Sequence, residues 1–185
     1  MRISPTSLPE VLIVEPEVFP DSRGHFFEMW EEARYREAGI TGPFVQDNIS
    51  RSIQGTVRGL HFQEPKAQGK LITVLRGNIF DVAVDIRPNS PRFKQWVGVD
   101  LNCNQPRQLW IPPGFAHGFC VLSESADFHY KCTEYYNPST ERSVRWDDPD
   151  LAINWPIPNP VLSEKDAAAP PLSNAPILPS LETPK

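Results

Sequence analysis

The fold class is decided by the stretch Lys70-Leu71-Ile72-Thr73-Val74-Leu75, the turn Arg76-Gly77-Asn78, and the run Ile79-Phe80-Asp81-Val82-Ala83-Val84-Asp85-Ile86-Arg87. β-branched and aliphatic residues dominate both runs, and the Gly-Asn pair between them is a tight-turn signal, so they read as two strands of a hairpin. Similar short segments bounded by Gly, Pro, Asn or Asp lie at Val11–Val14, Val45–Ser50, Val57–Gln63, Trp96–Leu101, Gln108–Ile111, Gly118–Leu122 and Phe128–Tyr136. About nine strands with no helices between them predict an antiparallel sandwich or jelly roll, not parallel βαβ units. The one helical stretch is Met29–Ala38, rich in Glu, Arg and Ala and followed by Gly39, where a helix commonly stops.

With 185 residues the chain has room for one domain and an appendage. Eight of its 21 prolines follow Trp155, and no aromatic residue does. The expectation is therefore a domain over residues 1–166, along which an extended segment from Pro156 lies, and a Pro/Ala-rich flexible tail over 167–185. A net charge of −5, with no block of Lys or Arg, gives no electrostatic reason to expect a nucleic-acid partner. No apolar run approaches the roughly 20 residues that span a bilayer. Three cysteines cannot close a disulfide framework, and Met1–Pro9 lacks the pattern of a secretion signal, so the expected location is the cytoplasm.

Period-two alternation sorts the strand residues by face. In Phe128–Tyr136, the residues Phe128, Tyr130, Cys132, Glu134 and Tyr136 fall together, with His129 and Lys131 opposite. In Ile79–Arg87, the apolar face is Phe80, Val82, Val84 and Ile86, which leaves Asp81 and Asp85 on the other side with Ala83. Strict alternation also sets Arg58 opposite His61, unless a bulge re-aims one of them. His25 and His129 read as surface or packing residues. Cys103, Cys120 and Cys132 read as small buried hydrophobes, and the five tryptophans as core.

Arg58-Gly59-Leu60-His61-Phe62-Gln63 and Pro112-Pro113-Gly114-Phe115-Ala116-His117-Gly118 resemble the two motifs of the cupin jelly roll. In metal-binding cupins these supply three histidines and a glutamate; here Gln63 stands for the second histidine and Lys70 stands near the glutamate. An ammonium has no lone pair for a cation and repels it, so no divalent metal is expected. A possible base, an ammonium and hydrogen-bonding groups suit proton transfer.

Longer motifs in order carry a more specific resemblance: Phe19-Pro20-Asp21-Ser22-Arg23-Gly24-His25-Phe26-Phe27-Glu28, Gln46-Asp47-Asn48-Ile49-Ser50, Arg58 to Gln63, Gln68-Gly69-Lys70-Leu71, Phe80 to Arg87, and Tyr130-Lys131-Cys132-Thr133. Over about residues 8 to 166 the chain is similar to the dTDP-4-dehydrorhamnose 3,5-epimerases. The resemblance implies a cupin-like jelly roll and the substrate dTDP-4-dehydro-6-deoxy-glucose, with inversion at carbons 3 and 5 and no cofactor. It implies His61 as base, Lys70 at the enolate oxygen, Tyr130 as acid, and Asp166 as the carboxylate that orients His61, with Asp81 next in line for that place. Arg23, Arg58, His117 and Lys165 match groups around the diphosphate, Gln46 and Asn48 positions near the nucleoside, and Tyr136 the aromatic that stacks on thymine. Phe26, Glu28 and Glu141 match further contacts. In this family the segment from Arg23 to Glu28 tends to come from the partner in a homodimer. Two other readings share the motifs: a single-carbon epimerase or ketoisomerase on a related sugar, and a sugar-nucleotide-binding cupin without catalysis. Because Lys70 stands where a ligand would be, dialysis against a chelator is expected to leave turnover unchanged. Turnover lost to chelator and restored by one divalent metal would overturn that expectation.

Overall fold

The structure, a computed structural model, describes residues 1–175 and 178–179. Its strands are β1 (Arg2–Pro5), β2 (Leu12–Glu15), β3 (Val18–Asp21), β4 (Gly24–Phe27), β5 (Gln46–Ile53), β6 (Val57–Gln63), β7 (Lys70–Arg76), β8 (Asn78–Asp85), β9 (Trp96–Asn102), β10 (Gln108–Ile111), β11 (Phe115–Val121), β12 (Ser125–Cys132) and β13 (Glu141–Ser143). Two short helices, α1 (Glu32–Glu37) and α2 (Glu164–Ala167), and a 3-10 turn at Leu172–Asn174 complete it. A six-stranded sheet ordered β1-β2-β10-β7-β12-β5 faces a five-stranded sheet ordered β13-β6-β11-β8-β9, and β3 and β4 pair alone as a hairpin. All these pairings are antiparallel, as expected of a jelly roll.

The stretch from Lys70 to Arg87 is two strands, but they are not a hairpin. β7 pairs with β10 and β12 in one sheet, and β8 pairs with β11 and β9 in the other. The turn between them is a corner. Gly77 takes φ +81, and a Cβ there would lie 2.2 Å from the Ser125 carbonyl oxygen. The Ser123 hydroxyl accepts from the Asn78 amide at 2.8 Å. Both strands are buried on two faces because each is central, with a neighbour on either side and material above and below. From β5 to β8 the chain changes sheet at every step, so neighbours in sequence face each other across the interior.

That layering also explains the composition of β8. Ile79 and Ala83 point between the sheets, where they meet Ile72, Leu109, Phe119 and Phe128. Val82, Val84 and Ile86 point outward, yet are fully buried under Val144, Leu151, Leu172 and Trp155. A third cluster of Val14, Leu71 and Trp110 is covered by Tyr35 and Ile40 from the segment around α1. The helix starts later than composition predicts, because the Glu31 carboxylate accepts from the Ala33 and Arg34 amides and fixes the first turn there. β12 ends at Cys132, so Glu134 and Tyr136 leave the strand for a loop that does not alternate.

The segment after Asp166 is ordered further than its composition predicts. Leu172 is 3 % exposed in the outer cluster, its amide donates to Asp148 at 2.7 Å, and the Arg145 amide donates to the Pro170 carbonyl at 2.9 Å. A proline-rich chain lacks secondary structure of its own but lies down where a sheet face needs covering. The expected tail residues 176–177 and 180–185 lie outside the described residues. Leu172→Ala should destabilise the fold by about 2–4 kcal/mol in urea unfolding, as for other buried leucines. A loss below about 0.5 kcal/mol would show that the segment merely rests on the sheet.

Candidate active site

The space between the sheets opens at one end into two adjoining lobes of about 290 and 330 Å³. His61, Lys70, Tyr130 and Glu141 border both. Gln46, Asn48, Gln63, Gln68, Cys132 and Tyr136 line the first lobe. Arg58, His117, Lys165 and Asp166 line the second, with an aromatic wall from Phe119 and Phe128.

Each group arrives by a simple route. On the six-stranded sheet, Lys70 and Gln46 are the cross-strand neighbours of Cys132, while Ile72 and Asn48 are those of Tyr130. These rungs point inward, as the alternation in β12 predicts. On the facing sheet His61 pairs with His117, but the next pair is Arg58 with Phe119, so β6 carries one residue more than β11 between them. This bulge brings Arg58 onto the same face as His61, which settles the point that strict alternation leaves open. It is accommodated by Gly59 at φ +129, where a Cβ would sit 2.6 Å from Gly118 Cα.

His61 Nε2 lies 2.6 Å from Asp166 Oδ1. The carboxylate is aimed by its own helix: the capping Ser163 accepts from the Asp166 amide at 3.1 Å and donates to Oδ2 at 2.9 Å. An ionised carboxylate only accepts, so the ring carries its proton on Nε2 and leaves the Nδ1 lone pair free. Burial would raise the Asp166 pKa, but the hydrogen bond and charge of His61, aided by Ser163 and Lys165, hold it below the ordinary carboxylate value. Asp81 does not serve His61. It is fully buried and bonds His117 Nε2 at 2.9 Å, because it sits beside Phe119 on β8 and reaches the residue one rung along. Burial raises its pKa against the pull of His117 and Lys70.

Lys70 is 8 % exposed, and its ammonium has one hydrogen bond, to Gln68 Oε1 at 3.5 Å. Burial lowers its pKa, opposed in part by Cys132, Glu141 and Asp81. Burial likewise raises that of Tyr130, with Cys132 adding to it and Arg58 opposing. Glu141 ties the rim together: it accepts from the Tyr136 hydroxyl at 2.9 Å and pairs with Lys165 at 2.5 Å. Gln46 donates to Asn48 at 2.9 Å and accepts from the Tyr136 amide at 2.8 Å. Gln63 is turned to the loop, bonding Lys66, Tyr135 and Asn137.

Four expected residues do not line this cavity: Asp81, which is buried behind His117, and three residues of the N-terminal segment. Arg23, Phe26 and Glu28 lie on or just after the β3–β4 hairpin; Arg23 pairs with Asp21 at 2.6 Å, Phe26 is 67 % exposed, and Glu28 pairs with Arg34. None of the five tryptophans lines either lobe, whereas Cys132, expected to be a buried hydrophobe, is buried and lines the first. Sequence reading missed Ser163, although Ser163-Glu164-Lys165-Asp166 has the spacing of a capping serine three residues before a carboxylate. It also missed Ser50, Phe119 and Phe128, which look like ordinary strand residues until the sheets are stacked.

A family model described as dTDP-4-dehydrorhamnose 3,5-epimerase matches residues 5–174. A dTDP-4-dehydrorhamnose 3,5-epimerase of Salmonella typhimurium is 54 % identical over 178 residues, 95 % of this chain and 97 % of that one. A dTDP-4-dehydrorhamnose 3-epimerase of Streptomyces niveus is 39 % identical over 171 residues, 91 % of this chain and 83 % of that one. Among solved structures, a dTDP-6-deoxy-D-glucose-3,5-epimerase from Legionella pneumophila, in complex with dTDP-4-keto-L-rhamnose, superposes with a TM-score of 0.95 at 53 % identity, covering 98 % of this chain and 99 % of that one.

Because the Asp166 carboxyl has a lowered folded pKa, its contribution to stability is complete above its unfolded value of about 3.9 and is lost as pH falls through the folded one. The difference in melting temperature between wild type and Asp166→Asn should therefore be constant above about pH 5 and shrink below about pH 4. A difference that stays constant down to about pH 2 would show that the ionised carboxylate's bond to His61 is not what Asp166 contributes.

Proposed function

The chain belongs to the dTDP-4-dehydrorhamnose 3,5-epimerase family, and we propose that it inverts carbons 3 and 5 of dTDP-4-dehydro-6-deoxy-glucose by proton transfer between His61 and Tyr130. The observation that carries this reading is that the two groups stand on opposite sheets facing one cavity, His61 on β6 and Tyr130 on β12, so that a sugar ring between them has a base on one face and an acid on the other. The ketone acidifies the hydrogens on its neighbouring carbons. His61 removes one, the electrons move onto the carbonyl oxygen, and the ammonium of Lys70 stabilises the enolate. Tyr130 then returns a proton from the other face, which inverts the carbon. Asp166 keeps the imidazole in one tautomer and offers its charge to the ring once it has taken the proton.

The rim suits the nucleotide. Arg58 and Lys165 bring two cations to the lobe beside His61, with His117 held there by Asp81, and a guanidinium can bond a phosphate bidentately. At the other lobe Tyr136, which is 51 % exposed, offers a stacking surface to a base, with the paired amides of Gln46 and Asn48 and the Glu141 carboxylate alongside. The position of Arg23, Phe26 and Glu28 supports a homodimer in which each protomer lends its β3–β4 hairpin to the other's cavity. Phe19 and Phe26 on that hairpin, and Ile49 and Ile53 on the outer face of β5, are large apolar side chains more than half exposed. A cytoplasmic location belongs to the same proposal and is supported by three free cysteines.

A single-carbon epimerase is the second reading, favoured by the similarity to the 3-epimerase of Streptomyces niveus. Incubation with the ketosugar in deuterated water separates them: deuterium at carbons 3 and 5 supports double inversion, and deuterium at carbon 3 alone supports the other. His61→Ala should lose exchange at both carbons by about 10²–10⁴-fold while nucleotide binding survives. Tyr130→Phe should lose inversion to a greater extent than exchange. Near-normal exchange in the first variant, or wild-type inversion in the second, would remove that residue from its role.

A further inference from the structure

One group in the cavity has no part in the chemistry above. Cys132 stands inside the row formed by Lys70, Cys132 and Gln46 across β7, β12 and β5, with its sulfur lining the first lobe. Directly paired residues on one face of an antiparallel sheet have Cβ atoms about 4.5–5.5 Å apart, so Cys132 is the direct cross-strand neighbour of Lys70 on β12. Its one polar contact is received: Asn48 Nδ2 donates to the sulfur at 3.6 Å. The ammonium beside it is more than nine-tenths buried, and its only bond among the described residues is the one at 3.5 Å to Gln68. A buried ammonium with three donors and a single long bond is under-satisfied. Whatever occupies the neighbouring position decides whether it stays so.

Sulfur is a poor acceptor and a hydroxyl oxygen a good one, especially toward a cation. A serine of nearly the same shape would turn its lone pairs to the ammonium and take up one of its donors before substrate arrives. Alanine would offer the ammonium no acceptor, and would give up both the Asn48 contact and the support that Cys132 lends the charged form of Lys70. We propose that Cys132 is a positioning residue for the epimerisation: by filling the place beside Lys70 with a group that scarcely hydrogen-bonds, it keeps the ammonium's donors free for the oxygen that gains charge in the enolate. The proposal rests on the assignment of Lys70 to the enolate oxygen. It predicts an order that simple packing does not, since the conservative replacement is the harmful one.

The test compares Cys132→Ser, Cys132→Ala and Lys70→Gln with wild type, measuring kcat and KM on dTDP-4-dehydro-6-deoxy-glucose from pH 6 to 10 and checking each variant's fold by melting temperature. Cys132→Ser should lower kcat about tenfold, a fraction of the 10²–10³-fold that follows complete loss of an oxyanion donor, with little change in KM. The alkaline fall of its kcat should move to higher pH, because the hydroxyl holds the proton on Lys70. Cys132→Ala should keep kcat within about threefold of wild type, with an alkaline limb at or below the wild-type pH and any loss confined to KM. Equal kcat in the two cysteine variants, or a serine variant whose pH profile coincides with that of wild type, would overturn the proposal while leaving Lys70 in its role. Wild-type kcat in Lys70→Gln would overturn the assignment of Lys70 and the proposal with it. If the serine variant fails to fold, Cys132→Thr supplies the same hydroxyl, and a kcat and alkaline limb matching those of Cys132→Ala would count against the proposal.

Discussion

A lysine ammonium held between two β-sheets is the constraint on which the rest of this structure turns. Taking such a charge out of water costs several kcal/mol unless something compensates it. Among the described residues the compensation is thin: one long bond from the ammonium to Gln68, and the influence of Cys132, Glu141 and Asp81. The balance is met partly by lowering the ammonium's pKa, and the remaining donors stay available to whatever enters the cavity. A group left in this state is suited to stabilising an anion that exists only during the reaction, because its capacity is not spent on partners in the resting protein.

The same economy of partners governs the two histidines. Each has one carboxylate, and the two pairs differ in how the acid is held. Asp81 comes from the middle of a central strand and is rigid by burial; Asp166 comes from a four-residue helix near the end of the chain and is rigid because Ser163 holds both its backbone and its side chain. The difference is consistent with His117 as a fixed part of the wall and His61 as the ring that takes up and releases a proton. It also gives the C-terminal segment a function beyond covering the outer sheet face. Leu172 anchors a stretch that begins at a carboxylate in the cavity, so packing on the outside and orientation on the inside are coupled through a few residues.

Family likeness and geometry support one another here without repeating one another. The likeness, close over nearly the whole chain, bears on the substrate class. The geometry supports the proposed inversion: the jelly roll changes sheet between β6 and β7, and this puts His61 on one wall and Tyr130, with Lys70, on the facing one. A hairpin would have put His61 and Lys70 side by side on one surface.

Much of this was legible in the sequence. Most of the longer strands, their approximate bounds, the inward face of β12 and the absence of parallel units follow from alternation and turn residues, because a strand half-buried in a sheet leaves a period-two record in its own composition; β8, buried on both faces, carries its more apolar face outward, and the short β1, β3, β4 and β13 leave no such record. The pairing of charged groups was legible only through resemblance, residue by residue. Four features needed the tertiary structure: the corner at Gly77, the bulge that turns Arg58 inward, the partner of Asp81, and the ordered course of residues 168–175. The physical reason is common to all four. A turn signal records that the chain bends but not which sheet receives it, a bulge is an extra residue visible only against its partner strand, and a proline-rich segment carries no period. The choice of a carboxylate's partner depends on which strands lie one rung apart across a sheet. Local sequence determines what each strand shows on each face; only the stacking of the sheets decided which faces meet.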